Sequence, residues 1–108
     1  MEEMVQWVEA NIKGNPTLGE MSDHVRYSSF YCSIKFHDYV GMTFKQYIAK
    51  RRMSLAEKEI KTTNRRFLDI ALDYGFSTQE AFTRAFTSAY GCTPSKYRKQ
   101  AMAMYYGE

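Results

Sequence analysis

Long apolar runs are missing from this chain. No stretch approaches the ~18 consecutive apolar residues that a membrane span needs, so no membrane partner is expected. Cysteine is scarce, with only Cys32 and Cys92. Two thiols that far apart do not build a disulfide scaffold, and they read as small buried residues. A zinc site would have to recruit His24 and His37, and neither stands at Cys-x-x-Cys or His-x3–5-His spacing, so no metal is expected. Also absent are a Gly-rich phosphate loop, a nucleophile motif and a His/carboxylate cluster. The chain is therefore not expected to be an enzyme; no catalytic residue is assigned and no cofactor is implied. The N-terminus, Met1-Glu2-Glu3-Met4, is acidic where a signal peptide is basic, which points to a cytoplasmic protein. Prolines number two (Pro16, Pro94), which leaves long segments free of helix breakers.

What is present is material for one small helical domain. The 108 residues are 44% hydrophobic and 16% aromatic, enough to build a core at this length. The net charge of +3 is mild but uneven. Residues 1–42 hold three basic groups (Lys13, Arg26, Lys35) against six acidic ones; residues 43–108 hold twelve against six. A basic second half suits a polyanion partner.

Helix starts are marked explicitly. Thr17-x-x-Glu20, Thr43-x-x-Gln46 and Ser77-x-x-Glu80 each read as a capping box. Thr93-Pro94 sets a cap before a proline at the first helical position. Gly14, Gly41, Gly75 and Gly91 stand where helices should end in left-handed backbone. These marks predict an all-α chain of seven helices near 3–13, 18–25, 29–40, 44–61, 67–74, 78–90 and 94–100. Slid on itself by 50 residues, the chain repeats: Phe36 meets Phe86, Gly41 meets Gly91, Thr43 meets Thr93 and Tyr47 meets Tyr97. Upstream the offset becomes 49, so that Ser28 meets Ser77 and Ser22 meets Ala71. Two copies of one supersecondary unit on a long helix describe this economically. Each copy is a short helix, a tight turn and a longer helix, with small residues (Ser22, Ala71) where the second helix crosses. That is a helix-turn-helix. The expected organisation is a first unit at 1–42, a linker helix at 43–62, a second unit at 63–100 and a C-terminal tail at 101–108.

The segment Phe67-Leu68-Asp69-Ile70-Ala71-Leu72-Asp73-Tyr74-Gly75-Phe76-Ser77, then Phe82-Thr83-Arg84-Ala85-Phe86 and Gly91-Cys92-Thr93-Pro94-Ser95-Lys96-Tyr97-Arg98, resembles the signature of the AraC/XylS family of bacterial transcription regulators. The match continues upstream through Phe36, Gly41, Phe44, Tyr47, Ile48, Arg52 and Ala56. The resemblance implies two homeodomain-like helix-turn-helix units on one linker helix, each placing its second helix in successive major grooves of double-stranded DNA. It implies sequence-specific binding, regulation of transcription (activation in the first place) and RNA polymerase as a partner. A groove repeat of about 34 Å slightly exceeds the ~27 Å expected of the linker, which implies DNA bent toward the protein. The family usually adds an effector-binding or dimerisation domain, which 108 residues do not hold. Either this is a stand-alone regulator or it is part of a longer protein.

Candidate base readers follow from helix faces. On 78–90, Phe82, Phe86 and Ala89 or Tyr90 should face inward, which exposes Thr78, Gln79, Ala81, Thr83 and Arg84. Arg84 suits bidentate bonding to guanine and Gln79 suits adenine; Glu80 is read as the closing residue of the Ser77 box. On 29–40, Cys32, Phe36 and Tyr39 or Val40 should face inward, exposing Ser29, Phe30, Ser33, Ile34 and His37. Here the chain departs from the family pattern, which commonly has a polar residue where Ile34 stands and an apolar one at Lys35. Phe30 and Ile34 are either thymine-methyl contacts or packing residues. Phosphate candidates are Ser28, Lys35, Lys45, Ser77, Thr78, Lys96, Arg98 and Lys99. Arg52 is read as an ion-pair residue, with Asp69 as its candidate partner, and Arg65 and Arg66 as solvated or near the DNA backbone. The rival reading is a helical protein-interaction module docking on RNA polymerase or another regulator without specific DNA reading.

Overall fold

Capping chemistry fixes where each helix begins. Thr17 opens a box in which its hydroxyl accepts from the Glu20 amide at 3.1 Å while the Glu20 carboxylate accepts from the Thr17 amide at 3.2 Å. Thr43 and Gln46 repeat the pattern at 3.1 and 3.0 Å. In the computed structural model, which describes residues 2–14 and 16–106, seven α-helices follow one another. They are α1 (Glu2–Ala10), α2 (Leu18–Val25), α3 (Ser29–Val40), α4 (Phe44–Thr62), α5 (Phe67–Asp73), α6 (Gln79–Tyr90) and α7 (Pro94–Tyr106), with a 3-10 turn at Ile12–Gly14. Among the described residues there is no strand.

The ends differ from expectation in four places. α1 stops at Ala10 and tightens into the 3-10 turn, so Gly14 closes that turn without left-handed backbone. The left-handed position in the first helix-turn-helix falls on Arg26 instead. α7 runs on through 101–106, where the sequence reading placed a tail. Its continuation Lys99-Gln100-Ala101-Met102-Ala103-Met104 consists of good helix formers with no breaker before Gly107. Finally, α6 begins at Gln79 and is capped by Thr78, whose hydroxyl accepts from the Ala81 amide at 3.1 Å. The expected Ser77–Glu80 box does not form.

Moving the cap by one residue corrects the repeat. The caps Ser28 and Thr78, the helices α3 and α6, and the left-handed C-caps Gly41 and Gly91 now share a single 50-residue offset. The extra residue of the second copy is Ser77, and it sits in the turn.

The chain forms two compact units, Met1–Arg52 and Met53–Glu108, which divide inside α4. In the first, Met4, Val8, Ile12, Met21, Cys32, Phe36 and Ile48 are buried. In the second, Ala56, Ile60, Ile70, Ala71, Tyr74, Phe82 and Phe86 form the core. The segment 43–62 thus supplies both cores: its first half packs in one unit and its second half in the other. Divided this way, the basic groups spread out, seven against six acidic in the first unit and eight against six in the second. The charge asymmetry seen at residue 42 is therefore not a property of the folded units.

Each unit is tied by a tyrosine 50 residues from its twin. Tyr47 packs on Phe36 with ring centroids 5.4 Å apart, and Tyr97 packs on Phe86 at 5.3 Å. The Tyr47 hydroxyl donates to Glu9 and the Tyr97 hydroxyl to Glu57. Those two glutamates stand 48 apart, so the repeat reaches back into the first helix of each unit.

Candidate nucleic-acid interface

A second helix that enters a groove must keep one face off the core. On α6, Phe82 and Phe86 are wholly buried. At 3.6 residues per turn, the opposite stripe is Glu80, Arg84 and Ser88. All three are exposed, as is Gln79 in the first turn, while Ala81 and Thr83 are half-buried on the flanks. The Thr83 carbonyl accepts from the Thr87 hydroxyl at 2.7 Å. With the cap on Thr78, the Glu80 carboxylate is no longer part of a capping box and joins the outward stripe. Spacing alone favours Ser77, because Ser77-x-x-Glu80 carries the carboxylate of a capping box and Thr78-x-x-Ala81 does not, yet the cap forms on Thr78.

On α3 the same geometry holds. Cys32 and Phe36 are buried, and the opposite stripe is Phe30, Ile34 and Asp38. Phe30 is 78% exposed and Ile34 45%. Neither is a core residue. Ser29, Ser33 and His37 are exposed beside them. The last turn of each helix runs past its core: Tyr39, Ala89 and Tyr90 are exposed, and Val40 is half-buried. Tyr90 still stacks on Tyr97 at 5.6 Å. Tyr27 and Tyr31 form an exposed stacked pair at 4.8 Å, and the Lys35 ammonium lies 5.7 Å over the Tyr31 ring. Spacing along the chain carries no signal for that pair, because Tyr27 lies in the turn before α3 and so has no fixed face.

The phosphate candidates separate into two groups. Ser28, Lys35, Lys45, Ser77, Thr78, Lys96 and Lys99 are all exposed. Arg98 is not available in that way. Its Nε donates to the Ile60 carbonyl at 2.8 Å and its Nη2 to the Arg65 carbonyl at 2.9 Å, with the guanidinium 4.5 Å over the Phe67 ring. Ile60 lies in the last turn of α4, whose carbonyls have no partner within the helix. Arg98 satisfies one of them, and burial pulls its pKa down. Arg52 works similarly in the first unit, donating from Nε to the Ile12 carbonyl at 3.1 Å.

Arg65, read from sequence as solvated, bridges Glu59 at 2.6 Å and Asp73 at 2.8 Å. Those bonds, the one to Glu59 above all, hold its pKa up. The Tyr74 hydroxyl donates to the same Glu59 at 2.5 Å, and burial first, then that bond, raises the phenol's pKa. In the first unit Arg51 grips Glu9 with two donors, at 3.0 and 2.8 Å. That pairing holds the Glu9 carboxyl below its usual range.

Among the described residues no group of His, Cys, Asp or Glu is placed to hold a metal ion, and no helix is long and apolar enough to cross a membrane.

A short helix followed by a capped helix with one face outward thus occurs twice, as α2–α3 and as α5–α6. The family described as a helix-turn-helix domain matches residues 21–100. The transcriptional activator AarP of Providencia stuartii is 36% identical over 98 residues, covering 91% of this chain and 73% of that protein. The chain belongs to the AraC family of transcription regulators and forms its DNA-binding domain. Solved structures agree. An AraC-type regulator from Chromobacterium violaceum superposes with a TM-score of 0.82 at 25% identity, covering 93% of this chain and 89% of that one. The C-terminal domain of the response regulator yesN from Fusobacterium nucleatum gives 0.78 at 31%, covering 90% and 95%. The domain is all-α with a double helix-turn-helix, and its activity is DNA binding in the regulation of transcription.

Proposed function

We propose that this AraC-family domain activates transcription by setting α3 and α6 into successive major grooves of one duplex. The observation that carries the reading is the outward stripe of α6, where Arg84 stands opposite the buried Phe82–Phe86 edge with Gln79 and Glu80 a turn away. Arg84 gives two parallel bonds to guanine O6 and N7; Gln79 suits adenine and Glu80 accepts from cytosine N4. Ala81 and Thr83 on the flanks, and Ser29, Ser33 and His37 on α3, complete the base-facing set. Exposed hydroxyls and amides at Ser28, Ser77 and Thr78, with Lys35, Lys45, Lys96 and Lys99, hold the phosphates and set the register. RNA polymerase is the partner such an activator requires, and the cytoplasm is where both meet bacterial DNA.

Fluorescence anisotropy against random and selected duplexes, over a range of salt, tests this. The expected result is micromolar or tighter binding at low salt, with an affinity that falls linearly in log–log form as salt rises. Binding without a salt slope, or none at micromolar protein, overturns it and favours a protein-docking module.

A further inference from the structure

The two second helices have the same length, 12 residues each, and the same cap positions 50 residues apart, so their outward stripes correspond residue by residue. Where α6 presents Glu80 and Arg84, α3 presents Phe30 and Ile34. The difference is chemical and complete at these two positions: two charged hydrogen-bonding groups against two hydrocarbon side chains.

An apolar side chain pressed on the floor of the major groove leaves base donors and acceptors without water or partner, which is costly. One feature of that floor rewards it, the methyl group at C5 of thymine. We propose that the first unit reads methyl groups: Phe30 and Ile34 select thymines by burying their C5 methyls, while the second unit reads by hydrogen bonds. This rests on the DNA-binding reading above. The neighbourhood fits DNA as the occupant. Ser28 caps α3, its hydroxyl accepting from the Tyr31 amide at 3.1 Å, and the exposed N-terminus of that helix favours a neighbouring anion such as a backbone phosphate. Lys35 lies next to the Tyr27–Tyr31 stack and supplies a cation at the groove edge. Phe30 at 78% and Ile34 at 45% exposure both lie outside the buried core, so their effect on DNA is measurable in a folded protein.

The test uses a duplex that the protein itself selects from a randomised pool. Each thymine is replaced in turn by deoxyuridine, which removes the methyl and keeps every hydrogen-bonding group. One or more replacements should weaken the wild-type protein about fourfold per methyl, the factor that burial of one such group is worth. In the double variant F30A/I34A, checked by circular dichroism to be folded at the assay temperature, the same replacements should cost nothing further. Tight binding in which no replacement exceeds twofold, or full methyl sensitivity kept by the double variant, overturns this inference and leaves the DNA reading standing. A pool from which nothing is selected at low salt overturns both.

Discussion

Arg26 holds left-handed backbone at φ 64°, while the matching position of the second unit is Gly75 at φ 90°. A Cβ in that region costs roughly 1–2 kcal/mol, and glycine avoids it. Arg26→Gly should therefore stabilise the domain by about 1 kcal/mol, seen as a rise in melting temperature of about 4–8 °C. An unchanged or lower melting point would show that the side chain offsets the strain. For function the decisive residue is Arg84. Arg84→Ala should relax preference at one base pair by about 1–3 kcal/mol in competition assays while leaving stability alone, because the side chain is exposed. Should Ser33→Ala or Ile34→Ala relax specificity more, the first unit is the dominant reader. The position of Arg84 was legible in the sequence, since the Phe82–Phe86 spacing fixes the face opposite. The freedom of Glu80 was not, because adjacent Ser77 and Thr78 are both good caps.

Helix ends explain the arginines that sequence cannot sort. Arg98 joins the last turn of α4 to the start of α5 through two carbonyls and the Phe67 ring. Arg98→Ala should cost about 2–3 kcal/mol in chemical denaturation, from charge-assisted bonds and a stacked cation. Lys96→Ala, by contrast, should leave stability alone and lower DNA affinity for all sequences alike. Helix-to-helix ties also titrate. Glu9, held low chiefly by Arg51, stabilises α1 against α4 above its ordinary value of 4.5 and loses that contribution as pH falls. Tyr97, pushed up to about 12 by its bond to Glu57 and by burial, stabilises below 10 and loses its contribution as pH climbs through 12. Stability measured against pH should thus fall less steeply in acid for Glu9→Gln, and less steeply in alkali for Tyr97→Phe, where Tyr47, Tyr74 and Tyr90 still contribute.

At the scale of the whole molecule, binding strength depends on distributed charge. Both folded units carry a small positive balance, and much of the basic surplus sits on α4 and α7. Arg51, Arg52 and Arg98 on those helices are engaged within the fold, so the count of cations available to phosphate is smaller than the sequence suggests. Lys45→Ala should reduce the slope of log affinity against log salt by about one and weaken every duplex equally. A loss confined to particular sequences would make Lys45 a base reader.

By itself the sequence determined the architecture: six of the seven helices fall within a few residues of their caps and glycines, and the 50-residue repeat identified two copies of one unit. These are local signals, carried by spacing along the chain. Only the tertiary structure decided which serine or threonine caps α6, that α4 divides between two cores, and that Glu9 and Glu57 are twins. It also decided that Arg98 faces carbonyls where the sequence suggested phosphate. The α6 cap is settled within one turn, by a bond from Ala81 to Thr78; the other choices depend on what a side chain meets tens of residues away, and spacing within a helix carries no information about that.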